Sequence, residues 1–198
     1  MVDYFALLNF PRTPWIDPSE VQKRFLELSA AAHPDRAHNL GATEVMAANE
    51  KFAGLNKAAA TLRDPKERLH HLLALETGNP PSATQNIPNE LIELFGRVGQ
   101  TCRKVDEFLG ERNRATSPVL QAQLFAQGLD WTDRIGELQQ QVGVVKERAE
   151  AELKSIAQNW PNEKRYDRLA ALAHTFAMTA RWEVQLQERF ATLAAANV

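Results

Sequence analysis

The side chains able to do chemistry in this chain are few. Five are histidines (His33, His38, His70, His71 and His174) and one is the single cysteine, Cys102. A metal centre needs three or four converging ligands. His33 and His38 share one polar stretch, and His70 and His71 point about 100° apart on a helix. No such ligand set is visible, so no metal is expected. One cysteine excludes an intrachain disulfide and a cysteine-cluster metal site, and it suits a reducing compartment. Cys102 also falls on an apolar helical stripe, which is the place of a core residue and not of a nucleophile. No glycine-rich phosphate loop occurs. Neither an enzyme nor a bound cofactor is therefore expected. What remains is a short polar turn, Ala32-His33-Pro34-Asp35-Arg36, with a His, a Pro and an Asp at its tip.

Two helical patterns must position that turn. Pro18 to Ala32 carries apolar residues at Val21, Phe25, Leu28 and Ala32. Thr43 to Leu62 carries them at Val45, Ala48, Phe52, Leu55, Ala59 and Leu62. Steps of three and four mark one face of a helix. Pro34 lacks an N–H and disfavours helical geometry in the residue before it, so the first helix stops there. Two antiparallel helices are predicted. Asp17 caps the first, with Pro18 at its first position and Glu20 at capping-box spacing. Asp3 to Leu8 is too short to be stable alone and must pack on this hairpin. Asp64-Pro65 starts a further helix whose apolar side is Leu69, Leu72, Leu73 and Leu75.

Glu76 to Pro88 holds three prolines, one glycine and small polar residues, the composition of a stiff linker. The expected division is 1–76, a linker over 77–87, and a second domain over 88–198. The second domain reads as three helices. The first, Asn89 to Glu111, has Leu91, Phe95, Val98, Cys102, Val105 and Leu109 as its seam, with Ile92 and Leu94 as surplus apolar residues. A piece beginning at Ser117-Pro118 is expected to break near Gly128, with Asp130 capping a second helix. Its seam runs Trp131, Ile135, Leu138, Val142, Val145, Ala149, Leu153 and Ile156. Trp160-Pro161-Asn162 is a turn. The third helix covers Glu163 to Ala195, with Leu169, Leu172, Ala173, Phe176, Leu186, Phe190 and Leu193. Apolar stripes with short connections predict an antiparallel bundle. No stretch alternates with period two, so the fold class is all-α.

Net charge is −2, with no basic block. Nucleic acid, which is held by clustered Lys and Arg, is not an expected partner. The opening residues show no basic region followed by an apolar core. No apolar run approaches the roughly 20 residues that span a bilayer. A cytoplasmic protein with no membrane partner is expected.

The hairpin with His33-Pro34-Asp35 at its tip resembles a J-domain, the module by which co-chaperones stimulate DnaK-type ATPases. Asp3-Tyr4-Phe5-Ala6-Leu7-Leu8 resembles the first helix of that domain. Lys51-Phe52 and Leu55-Asn56-Lys57-Ala58 resemble its third, and Leu62-Arg63-Asp64-Pro65 with Arg68 resembles the end of the third and the start of a fourth. Arg68 followed by Leu69-His70-His71-Leu72-Leu73-Ala74-Leu75 is similar to the HscB family, the J-type co-chaperones of iron–sulfur cluster assembly. So is the order of a J-domain, a linker and a three-helix bundle. The resemblance implies that the J-domain engages a DnaK/HscA-type chaperone and triggers ATP hydrolysis, while the bundle delivers an IscU-like scaffold protein. Asp35 would pair with an arginine of the ATPase, His33 and Pro34 would position it, and Lys23, Arg24 and Arg36 would steer the encounter. Leu91, Ile92, Phe95 and Trp182 would bind the client. The chain departs from the family at Ala32, where an aromatic is usual. It departs again at Gly96, Arg97 and Gly99, where the client face usually carries carboxylates. These departures leave a second client open, unrelated to iron–sulfur assembly.

Overall fold

The computed structural model describes residues 1–31, 41–78 and 89–196. They form seven α-helices and no strand: α1 (Tyr4–Leu7), α2 (Pro18–Ala31), α3 (Ala42–Arg63), α4 (Pro65–Thr77), α5 (Asn89–Arg112), α6 (Pro118–Asn159) and α7 (Tyr166–Ala196). The all-α expectation is borne out. By compactness the chain groups into two units, Met1–Gln85 with Ala151–His174, and Asn86–Glu150 with Thr175–Val198.

In the first unit α3 is the central helix, and α1, α2 and α4 all pack on it. Burial of the α3 stripe deepens along the helix. Val45, Ala48 and Phe52 are half-buried, whereas Leu55, Ala58, Ala59 and Leu62 are buried. Phe5, Leu8, Ile16, Val21, Leu69, Leu72 and Leu73 are buried in the same unit, as are Leu153, Ile156, Leu169 and Leu172. The caps follow local chemistry. Asp64 accepts from the Glu67 amide at 2.9 Å with Pro65 at the first turn of α4. Gly78 ends α4 at φ 76°, a left-handed position that favours glycine.

The second unit is built from α5, the first part of α6 and the second part of α7. Leu91, Leu94, Val98, Cys102, Val105 and Phe108 of α5 meet Leu124, Ile135, Leu138 and Val142 of α6 and Trp182, Leu186 and Leu193 of α7. Contacts fix the directions. Lys146 pairs with Glu183 and Gln139 with Gln187, so α6 and α7 are antiparallel. Arg189 pairs with Asp106 while Trp182 faces Phe95, so α5 and α7 run the same way.

Two expectations need correction. The break near Gly128 is absent: α6 is one helix from Pro118 to Asn159, and Asp130 is an exposed residue inside it. A helical glycine costs only about 1 kcal/mol against alanine. Buried Leu124 and Ile135 hold the helix in the core on either side of Gly128, and the Thr132 hydroxyl donates to the Gly128 carbonyl at 2.9 Å. The α5 seam also differs. Leu94 and Phe108 join the buried core, Leu109 packs against it partly buried as expected, and Phe95, expected on the seam, is 58 % exposed.

Candidate functional site

In the first unit α2 is the helix that precedes the His-Pro-Asp sequence. Asp17 anchors its start by accepting from the Ser19 amide at 2.8 Å and the Ser19 hydroxyl at 2.7 Å. Val21 is buried, and Gln22 accepts from Arg63 of α3 at 2.7 Å, which ties the two helices side by side. The next residues outward are Lys23 and Arg24. Lys23 is exposed, and Arg24 pairs with Glu27 at 3.2 Å on the same helix. His33, Pro34, Asp35 and Arg36 lie outside the described residues.

Before this helix, the irregular stretch between α1 and α2 is held by buried polar groups. Arg68 is 1 % exposed. Its Nε donates to the Pro14 carbonyl at 2.9 Å and its Nη1 to the Leu62 carbonyl at 2.6 Å. Its guanidinium lies 5.5 Å from the centre of the Trp15 ring. His71 accepts from the Tyr4 amide at Nε2, 3.0 Å, and stacks on Tyr4 and Phe5. That bond requires an unprotonated Nε2, and burial pushes the His71 imidazole down from its ordinary value. Burial acts to raise the Asp3 carboxyl, but the Ala6 amide, Arg12 and the Phe5 amide outweigh it and hold the group low. So the Arg68–Leu73 stretch, noticed as a sequence resemblance, acts as a scaffold for the hairpin.

Sequence reasoning missed a second polar cluster in the same unit. Glu76, taken as the start of a linker, accepts from Arg12 and Lys164 at 3.5 Å each and from the Tyr166 hydroxyl at 3.4 Å. Trp15 lies under Lys154 at 4.5 Å as well as beside Arg68. No local signal marks these partners, because they come from segments far apart in the chain.

In the second unit the four residues expected to bind a client divide into two pairs. Ile92 is 51 % exposed and Phe95 58 %, whereas Leu91 and Trp182 are buried in the bundle core. The Phe95 and Trp182 ring centres are 6.4 Å apart, so the buried indole supports the exposed ring. Leu94, the other surplus residue, belongs to the bundle core. Gly96 and Gly99 leave the surface beside Phe95 bare: a Cβ at either would meet nothing within 4 Å. Cys102 is buried, and burial pushes its thiol up, which suppresses the reactive thiolate. Among the described residues no group of three or more His, Cys, Asp or Glu is placed to hold a metal ion. None of the described helices is long and apolar enough to cross a membrane.

Comparison with known proteins adds identity to this geometry. Residues 3–71 match the DnaJ domain family. The co-chaperone protein HscB homolog of Mannheimia succiniciproducens is 32% identical over 94 residues, covering 48% of this chain and 54% of that protein. The homolog of Shewanella woodyi is 35% identical over 74 residues, covering 37% and 42%. The matched stretch thus spans about half the length of these relatives, or less. Two solved structures share the fold. Chaperone HscB from Vibrio cholerae superposes with a TM-score of 0.65 at 19% identity, covering 97% of this chain and 99% of that one. Human co-chaperone protein HscB gives a TM-score of 0.62 at 19% identity, covering 95% and 82%.

Proposed function

We propose that this chain, whose residues 3–71 match the DnaJ domain family and which is similar to HscB co-chaperones, is an HscB-type co-chaperone of iron–sulfur cluster assembly. Its J-domain stimulates the ATPase of a DnaK/HscA-type chaperone through His33-Pro34-Asp35, with Lys23, Arg24 and Arg36 steering the encounter. Its bundle delivers an IscU-like scaffold protein through Ile92 and Phe95, with Leu91 and Trp182 holding that face from beneath. The cytoplasm is the compartment in which it acts. The observation that carries this reading is the exposed pair Ile92 and Phe95, seated on a packed bundle in a chain that begins with a J-domain. Exposed apolar clusters of this kind mark partner sites.

One observation favours a second reading. Gly96 and Gly99 replace carboxylates usual in the family, which fits an adaptor whose client lies outside iron–sulfur assembly. Two variants separate the possibilities. Asp35→Asn abolishes stimulation in single-turnover ATP hydrolysis and leaves the melting temperature unchanged. Full stimulation by this variant rejects the ATPase role. Ile92→Ala with Phe95→Ala keeps stimulation in the absence of client and weakens scaffold binding by about 1 kcal/mol or more per hot residue in calorimetry. A wild-type chain that stimulates the ATPase but binds no cluster scaffold selects the second reading.

A further inference from the structure

A second surface of the α5–α7 unit is lined by charged side chains. Between α5 and α6 lies an open groove of about 250 Å³. Arg97, Thr101 and Lys104 line it from α5, and Trp131, Arg134 and Glu137 from α6. Arg97 is turned by about 140° around α5 from Ile92, so this groove is not the client face proposed above. Three of its residues are cations and one is a carboxylate. No ion pair forms at Arg97, Lys104 or Arg134 among the described residues, whereas Arg148, Lys146 and Arg189 of the same unit are each paired. Farther along the same two helices the groove becomes mixed in charge. There Glu90 and Glu93 accompany Arg97 and Arg148, and Arg148 is paired with Glu90 at 3.1 Å. Among the described cations that line the groove, Arg148 is thus neutralised by a partner, whereas Arg97, Lys104 and Arg134 form no ion pair.

The cationic stretch is also partly ordered. The Arg134 guanidinium lies 4.8 Å from the centre of the Trp131 ring, which holds it in place. Arg97 and Lys104 are seven residues apart, so they stand two helical turns or about 10 Å apart along α5. A single phosphate needs cations that converge on one point, and Arg97 and Lys104 stand two turns apart on α5. The volume is also below the usual range for small-ligand pockets, roughly 300–1,000 Å³. Cations two turns apart on one helix suit an extended anion. Carboxylates two residues apart on an extended peptide are about 7 Å apart, within reach of long, flexible arginine and lysine arms. Glu137 sets a limit on charge density and disfavours a uniformly charged polyanion at its position.

We propose that the Arg97–Lys104–Arg134 groove is a docking site for an acidic, extended peptide segment of a partner protein, separate from the client face and from the J-domain. The test uses the full chain and a fluorescent, glutamate-rich peptide carrying one leucine. A glutamine-for-glutamate peptide is the control, and the readout is anisotropy at low salt. The acidic peptide binds and the control does not. Binding weakens as salt rises, because exposed charges are screened over about 10 Å at 0.1 M. Arg97→Glu with Lys104→Glu, both exposed positions, lowers affinity about tenfold or more. Ile92→Ala with Phe95→Ala leaves it unchanged. Equal affinity for both peptides, or unchanged affinity in the charge-reversed variant of native helicity, overturns the proposal. So does tighter binding of a short single-stranded oligonucleotide, or of inorganic pyrophosphate, through the same two residues.

Discussion

In the first unit Arg68 and His71 are buried, at 1 % and 8 % exposure. In the second, the ion pairs that join α5, α6 and α7 stand toward solvent, with Arg148 and Glu90 exposed at 68% and 66%. The difference follows from how each unit satisfies its backbone. The first contains the irregular stretch from Asn9 to Ile16, which lies outside the helices. Buried polar atoms need partners, and Arg68 supplies them to Pro14 and to Leu62 near the end of α3. The second unit is made of long helices that satisfy their own backbones. Its core is almost wholly apolar, and buried Thr179 bonds to the Thr175 carbonyl of its own helix. A unit of that kind can change its surface without changing its fold, and that is where both proposed partner faces of the bundle lie.

The contrast can be broken most forcefully at Arg68. Arg68→Leu removes the donors to two buried carbonyls and is expected to lower stability by about 4 kcal/mol in urea unfolding. A loss under about 1 kcal/mol would mean that the irregular stretch holds itself. Next in size is a pair of neighbours in the second unit. Leu94→Ala opens a cavity in the bundle core and is expected to cost about 3 kcal/mol. Phe95→Ala, on the exposed side, is expected to cost well under half of that. Similar losses at both positions would place Phe95 in the core and remove it from the client face.

A smaller effect separates the units by pH. Burial lowers the folded-state value of His71 below its ordinary 6.5. Between these two values the unfolded chain binds the extra proton and the folded chain does not. Stability therefore falls as pH drops below about 6.5, by at most about 1.4 kcal/mol per pH unit for this one group. Protonation at Nε2 also ends the bond from the Tyr4 amide. His71→Phe is expected to be less stable at pH 7 but to lose this component of the pH slope, as read from melting temperatures between pH 5 and 8. The smallest effect belongs to the second unit. Glu90→Gln removes the exposed pair with Arg148 and is expected to change stability by about 0.5 kcal/mol or less. A larger change would show that the surface pairs do structural work comparable to the buried ones.

Local signals were enough to place most helices. Asp17-Pro18, Asp64-Pro65 and the steps of three and four from Val45 to Leu62 act within one or two turns; α2 and α4 begin at Pro18 and Pro65, and α3 runs from Ala42 to Arg63. The stripe of α6 from Ile135 to Ile156 was equally plain, since a long amphipathic helix repeats its pattern many times. Two questions depended on distant segments. Gly128 carries a local tendency to end a helix, and only the packing of Leu124 and Ile135 against α5 and α7 overrode it. Leu94 and Phe95 are adjacent apolar residues about 100° apart on α5, and periodicity admits either to the core. The choice fell to α6 and α7, built from residues that follow far along the chain. Arg68, Glu76 and Trp15 carry the same lesson. A charged or aromatic side chain declares its chemistry in the sequence, but its partners are set by which backbones and cations folding brings beside it.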